Sequence, residues 1–147
     1  MDTRRRALIA GGLFLTVVLG VALDWLIVTD RERIEAFVSC ITGTLTEAKI
    51  RRALTYTDPA VQPLEVTVLG ETTLYGREDA SALQRRALGL GRSQEGSVWR
   101  ALRRTIELQG PAGRVTLQLV SSEGTTDAEF VFHKHGDRWL LGEARFR

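Results

Sequence analysis

The chain has one cysteine and two histidines in 147 residues, and it contains no repeat, low-complexity tract or Pro/Gly/Ser-rich linker. A lone Cys40 excludes an internal disulfide and any cysteine-ligated metal site. Its neighbours Phe37, Val38 and Ile41 on a helical pattern read it as a small core residue rather than a reactive thiol. A lipid attachment at Cys40 fails as well, because charged residues from Asp30 to Glu35 intervene. Charge of one sign is also scarce. Setting aside Arg4, Arg5 and Arg6 from the 20 basic residues leaves 17, and setting aside Asp2 and Asp24 from the 18 acidic ones leaves 16. The part after residue 28 is therefore nearly neutral, and the basic isoelectric point is no argument for a nucleic-acid partner.

What is present is a long uncharged run from Ala7 to Leu23 behind Arg4, Arg5 and Arg6, extended past Asp24 by Trp25, Leu26, Ile27 and Val28. As a helix rising 1.5 Å per residue, it spans about 33 Å, close to the hydrocarbon thickness of a bilayer. Ala7, Leu15, Val18, Leu23 and Trp25 mark this anchor. The triplet Gly20-Val21-Ala22 also fits a secretory signal cleaved after Ala22, which would make the protein secreted. A cleaved signal turns polar after that point, whereas this chain stays apolar to Val28, so an uncleaved anchor is expected. The arginines hold the N-terminus in the cytoplasm, and residues 29–147 then face outward from a bacterial inner membrane as a periplasmic domain.

Those 119 residues suffice for one domain. Thr29-Asp30-Arg31-Glu32 is a capping-box pattern opening a helix with a stripe of Ile34, Phe37, Val38, Ile41 and Leu45. A short helix with Ile50, Ala53 and Leu54 must end before Asp58-Pro59. Alternating Leu64, Val66 and Val68 mark a half-buried strand, continued by Thr72 to Tyr75 after a turn or bulge at Gly70. A third helix is expected from about Arg77 to Leu88, closed by Gly89 and Gly91. Four antiparallel strands follow. Val98, Leu102, Ile106 and Leu108 share one face of the first, and the last two meet at a Gly136-Asp137 hairpin that aligns Phe130, Phe132, Trp139 and Leu141.

With its capped segment Asp30-Arg31-Glu32-Arg33-Ile34-Glu35-Ala36-Phe37, its Tyr75-Gly76-Arg77-Glu78-Asp79-Ala80 helix entry and its closing Gly136-Asp137-Arg138-Trp139-Leu140-Leu141 hairpin, the chain resembles the nuclear-transport-factor-2-like superfamily, including its SnoaL-like branch. The resemblance implies an α+β class: an N-terminal transmembrane helix followed by a cone-shaped roll of three helices on a curved, mainly antiparallel sheet. It also implies an apolar cavity that takes a small ligand, or a surface for a protein partner or homodimer. Fold alone does not choose.

Asp58 and Tyr56 stand where the resemblance implies a catalytic carboxylate and an oxyanion-stabilising partner, although Tyr56-Thr57-Asp58-Pro59 equally reads as a helix stop with Asp58 capping a turn. His133 and His135 share a strand face with Glu129, a spacing some metal sites use, and surface histidines account for it as well. Arg85, Arg86, Arg92, Arg100, Arg103 and Arg104, with Trp99 among them, concentrate positive charge suited to an anionic membrane or an acidic partner; a solvated face is the plainer account. The expectation is a membrane-anchored, extracytoplasmic binding or assembly module using Trp99, Arg100, Arg103 and Arg104, with no cofactor, metal or nucleic acid. The alternative is a SnoaL-like small-molecule enzyme of isomerase, cyclase or dehydratase type, using Asp58 with Tyr56.

Overall fold

The computed structural model describes residues 29–147. The capping box forms as the sequence requires. The Glu32 amide donates to Thr29 Oγ1 at 3.2 Å and the Thr29 amide to Glu32 Oε2 at 2.7 Å, starting α1 over Asp30–Ile41. Ile34, Phe37, Val38 and Cys40 are its buried positions. Burial pushes the Cys40 thiol pKa up, which keeps it protonated and inert. Leu45 is buried too, but it lies beyond the helix end, in the link from the two-residue strand β1 (Gly43–Thr44) to α2 (Glu47–Leu54).

A hairpin of β2 (Leu64–Val68) and β3 (Glu71–Tyr75) follows, then a 3-10 turn at Arg77–Asp79 and α3 over Ala80–Ser93. The chain closes with β4 (Val98–Gln109), β5 (Ala112–Ser121), β6 (Gly124–His135) and β7 (Arg138–Phe146). One seven-stranded sheet results, in the order β1-β4-β5-β6-β7-β2-β3. α1 touches both β4 and β7, so the sheet wraps this helix from two sides, while α2 bridges α1 and α3.

Several expectations are corrected here. The fold is dominated by its sheet, and that sheet is mixed, because β2 runs parallel to β7. No helix among the described residues is long and apolar enough to cross a membrane. The anchor expected at residues 7–28, with Ala7, Leu15, Val18, Leu23 and Trp25, lies outside the described residues. The third helix runs through Gly89 and Gly91 instead of ending there. Close packing accounts for Gly91, where a Cβ would lie 2.8 Å from Ile50 Cγ1 at the crossing of α2 and α3. Lastly, a bulge between Ala101 and Arg103 shifts the parity of β4. It leaves Leu102 exposed and puts Ile106 and Leu108 opposite the buried Val115 and Gly113.

The aromatic core forms as expected. Phe130, Phe132, Trp139 and Leu141 are all buried, and the hairpin turns in two residues between the paired His135 and Arg138. Asp30 ties α1 to this hairpin by accepting from Lys134 Nζ at 2.6 Å and from Trp139 Nε1 at 3.0 Å. These bonds, Lys134 foremost, hold its carboxyl below the ordinary aspartate range. A depressed folded pKa means the stabilisation is present above the unfolded value and lost as pH falls through the folded one. Denaturation midpoints should therefore decline below about pH 4, and less steeply for Asp30→Asn than for the wild type. Equal slopes for the two proteins would remove Asp30 from the account.

Candidate functional site

Tyr56 and Asp58, the residues proposed for catalysis, each bond to a different partner. Tyr56 is half-buried, donates its hydroxyl to the Arg33 carbonyl at 2.9 Å, and meets Phe37 edge-on at 5.4 Å. Burial is the first cause raising its pKa, so the phenol stays neutral. Asp58 pairs with Arg138 at 3.3 Å on the β7 side, and its backbone carbonyl, not its side chain, accepts from Val61 and Gln62. No polar or charged residue is buried among the described ones. The space between α1 and the sheet is filled by apolar and aromatic side chains such as Phe37, Phe130 and Phe132.

The histidines have local partners. His135 Nε2 lies 3.1 Å from Gln62 Oε1, and the His133 ring packs so closely on Gly142 that a Cβ there would sit 2.7 Å from its Cδ2. Glu129 is engaged by Arg114 at 3.6 Å and Arg145 at 3.5 Å. Among the described residues no group of three or more side chains is placed to hold a metal ion.

The arginine group, in contrast, is partly assembled. An open pocket of about 450 Å³ lies between the end of α1, β1 and the start of β4, with Val38, Thr42, Trp99, Arg100 and Arg104 in its lining. The β4 bulge decides which arginines take part. Arg104 lies opposite the buried Leu117 and reaches Glu35 of α1 at 3.8 Å, whereas Arg103 lies opposite Gln118 on the other face. Lys49 adds a third cation nearby, since a Cβ on Gly43 would lie 3.2 Å from its Nζ. That ammonium donates to the Thr42 carbonyl at 2.8 Å, satisfying a free carbonyl at the helix end. Trp99 Nε1 is buried and meets no acceptor among the described residues. The site can therefore receive an anionic group beside an apolar surface. Sequence reasoning named Trp99, Arg100 and Arg104 and did not name Lys49, which reaches this end of the molecule from α2 across the turn at Gly43, where φ is 74°.

The same strand presents a hydrogen-bonding edge. β1 pairs with β4 only at Val98 and Trp99, so among the described residues β4 has β5 alone as neighbour from Arg100 onward. Exposed arginines and a bulge on such an edge discourage pairing between identical copies, and they leave it open to a partner of opposite charge.

A sheet wrapped around a capped helix, with two further helices beside it, is a nuclear-transport-factor-2-like fold. Similar solved structures carry it. A protein described as a putative ketosteroid isomerase, from Parabacteroides distasonis, superposes with a TM-score of 0.59 at 11% identity, covering 80% of this chain and 86% of its own. An NTF2-like protein with a cystatin-like fold from Novosphingobium aromaticivorans gives 0.54 at 17% identity, covering 87% and 86%. A de novo designed protein with a curved β-sheet gives 0.57 at 15%, covering 81% and 99%. No family model and no curated protein matches the sequence. At these identities the likeness shows the fold and leaves activity open.

Proposed function

We propose that the protein is a binding or assembly module that engages an acidic, extended segment of a protein partner along β4. The observation that carries this reading is the open edge of β4 from Arg100, set with Arg100, Arg103 and Arg104 and adjoining the Trp99 pocket. Strand addition would supply backbone hydrogen bonds, and the arginines would select the partner's charge. The apolar filling around Phe37 and the engagement of Tyr56 by Arg33 and of Asp58 by Arg138 support binding over catalysis. The proposed location is the outer side of a bacterial inner membrane, with residues 1–28 as the attachment. It rests on the sequence: fractionation should leave the intact chain with the membrane, and a soluble product beginning at Leu23 would establish the secreted alternative.

The binding proposal is tested with the full chain and an alternating Glu-Val peptide. Reversing Arg100, Arg103 and Arg104 to Glu should weaken binding by about tenfold or more at low salt, and the difference should shrink as salt screens the attraction. Asp58→Asn should bind within about twofold of the wild type, because the turn hydrogen bonds go to its backbone carbonyl and only the solvent-screened pair with Arg138, away from β4, is weakened. Binding to anionic vesicles with no response to the peptide would replace the protein partner by a lipid surface. Turnover of a carbonyl-containing compound that Asp58→Asn abolishes would replace the module by an enzyme.

A further inference from the structure

At the other end of the molecule an open groove of about 670 Å³ runs between α3 and the inner face of the β2–β3 hairpin. Its walls are Val66, Val68 and Leu69 on one side and Leu90 on the other, with Arg86 and Glu71 as its charged groups. Its volume lies in the range of small-molecule sites. Two features of its walls are costly to a domain that uses them for nothing. Leu90 is 65% and Leu69 85% exposed, and Leu69 holds a φ of 51°, in the left-handed region where Asn or Gly is the ordinary turn residue.

The charges are arranged along the groove rather than paired. Arg86 Nη1 donates to the hydroxyl of the buried Tyr75 at 3.1 Å, and Arg86 has no carboxylate partner among the described residues. That bond fixes the guanidinium and leaves its remaining N–H groups to donate into the groove. Glu71 lies four residues before Tyr75 on β3, on the order of 13 Å away along the strand, at the hairpin tip. A single cationic donor set at one end, apolar walls between and an acid at the far lip match a molecule with one anionic head and an apolar tail.

We propose that this groove binds a straight-chain carboxylate of the fatty-acid class, with its head on Arg86 and its tail along Val66, Val68, Leu69 and Leu90. The site is separate from the β4 edge, so the two proposals fail independently.

Octanoate is a suitable probe, because it stays monomeric in water at the concentrations needed. It should be titrated into the full chain in lipid nanodiscs while the methyl resonances of Val68 and Leu90 are followed. The expected result is a saturable shift in roughly the millimolar range, weaker by about tenfold or more for octan-1-ol and for octylammonium. Gly89→Phe provides a blocker that should leave the fold intact, since a Cβ at Gly89 meets nothing within 4 Å and leaving glycine favours the helix. This variant should lose the octanoate response and keep the wild-type melting temperature and Glu-Val peptide binding. Arg86→Gln should bind octan-1-ol as the wild type does and lose the preference for octanoate. An undiminished response in Gly89→Phe, equal responses to octanoate and octylammonium, or no saturable shift at all would each overturn the proposal.

Discussion

Phe37→Ala is expected to lose about 3–5 kcal/mol of stability in chemical denaturation, because the lost transfer energy and the cavity left behind add. Phe37 is 3% exposed, and its ring meets Phe130 at 5.1 Å and Phe132 at 5.0 Å, both edge-on. It therefore joins α1 to β6 through contacts that no neighbouring side chain can remake. Against a typical total of about 5–15 kcal/mol, such a loss would bring the domain near its unfolding threshold. Ser93→Ala, on the exposed end of α3, serves as the control and should shift stability by less than about 0.5 kcal/mol. A loss below about 1 kcal/mol at Phe37 would refute the packing of helix on sheet described above.

Trp139→Ala should cost a similar amount, about 3–5 kcal/mol, for a different combination of reasons. The indole is 3% exposed and packs so near Gly113 that a Cβ there would lie 3.3 Å from Cζ3. Its Nε1 also donates to Asp30, and Lys134 Nζ lies 5.8 Å from the ring centroid. Trp139→Phe separates the contributions, since it keeps most of the ring packing and gives up the hydrogen bond. It should fall between the wild type and Trp139→Ala, and its acid sensitivity should be altered because one of the bonds depressing the Asp30 pKa is gone. Identical losses for the two variants would mean that the hydrogen bond, not the buried ring, carries the effect.

The comparison between sequence and structure divides by distance along the chain. The capping box at Thr29 and Glu32, the stripe of Ile34, Phe37 and Val38, and the two-residue turn at Gly136-Asp137 were legible because each depends on residues within a few positions of one another. The same holds for the paired faces of Phe130, Phe132, Trp139 and Leu141, once that turn sets the register. The helical course through Gly89 and Gly91 was misread because glycine carries a local stop signal, while the space it leaves for Ile50 comes from another helix.

By itself, then, the sequence determined that this protein has no internal disulfide, a nearly neutral part after residue 28, a capped first helix and an alternating aromatic hairpin. Only the tertiary structure decided that β2 runs parallel to β7, that Asp58 pairs with Arg138, and that Arg104 rather than Arg103 shares the face of the buried Leu117. The physical reason is the same in each case. A parallel pairing joins segments some 80 residues apart, the Asp58–Arg138 pair does likewise, and a bulge inserts one residue that reverses which side chains face inward. Local periodicity carries no record of such long-range choices; they are settled by which arrangement buries the apolar faces of the long strands and α1 together.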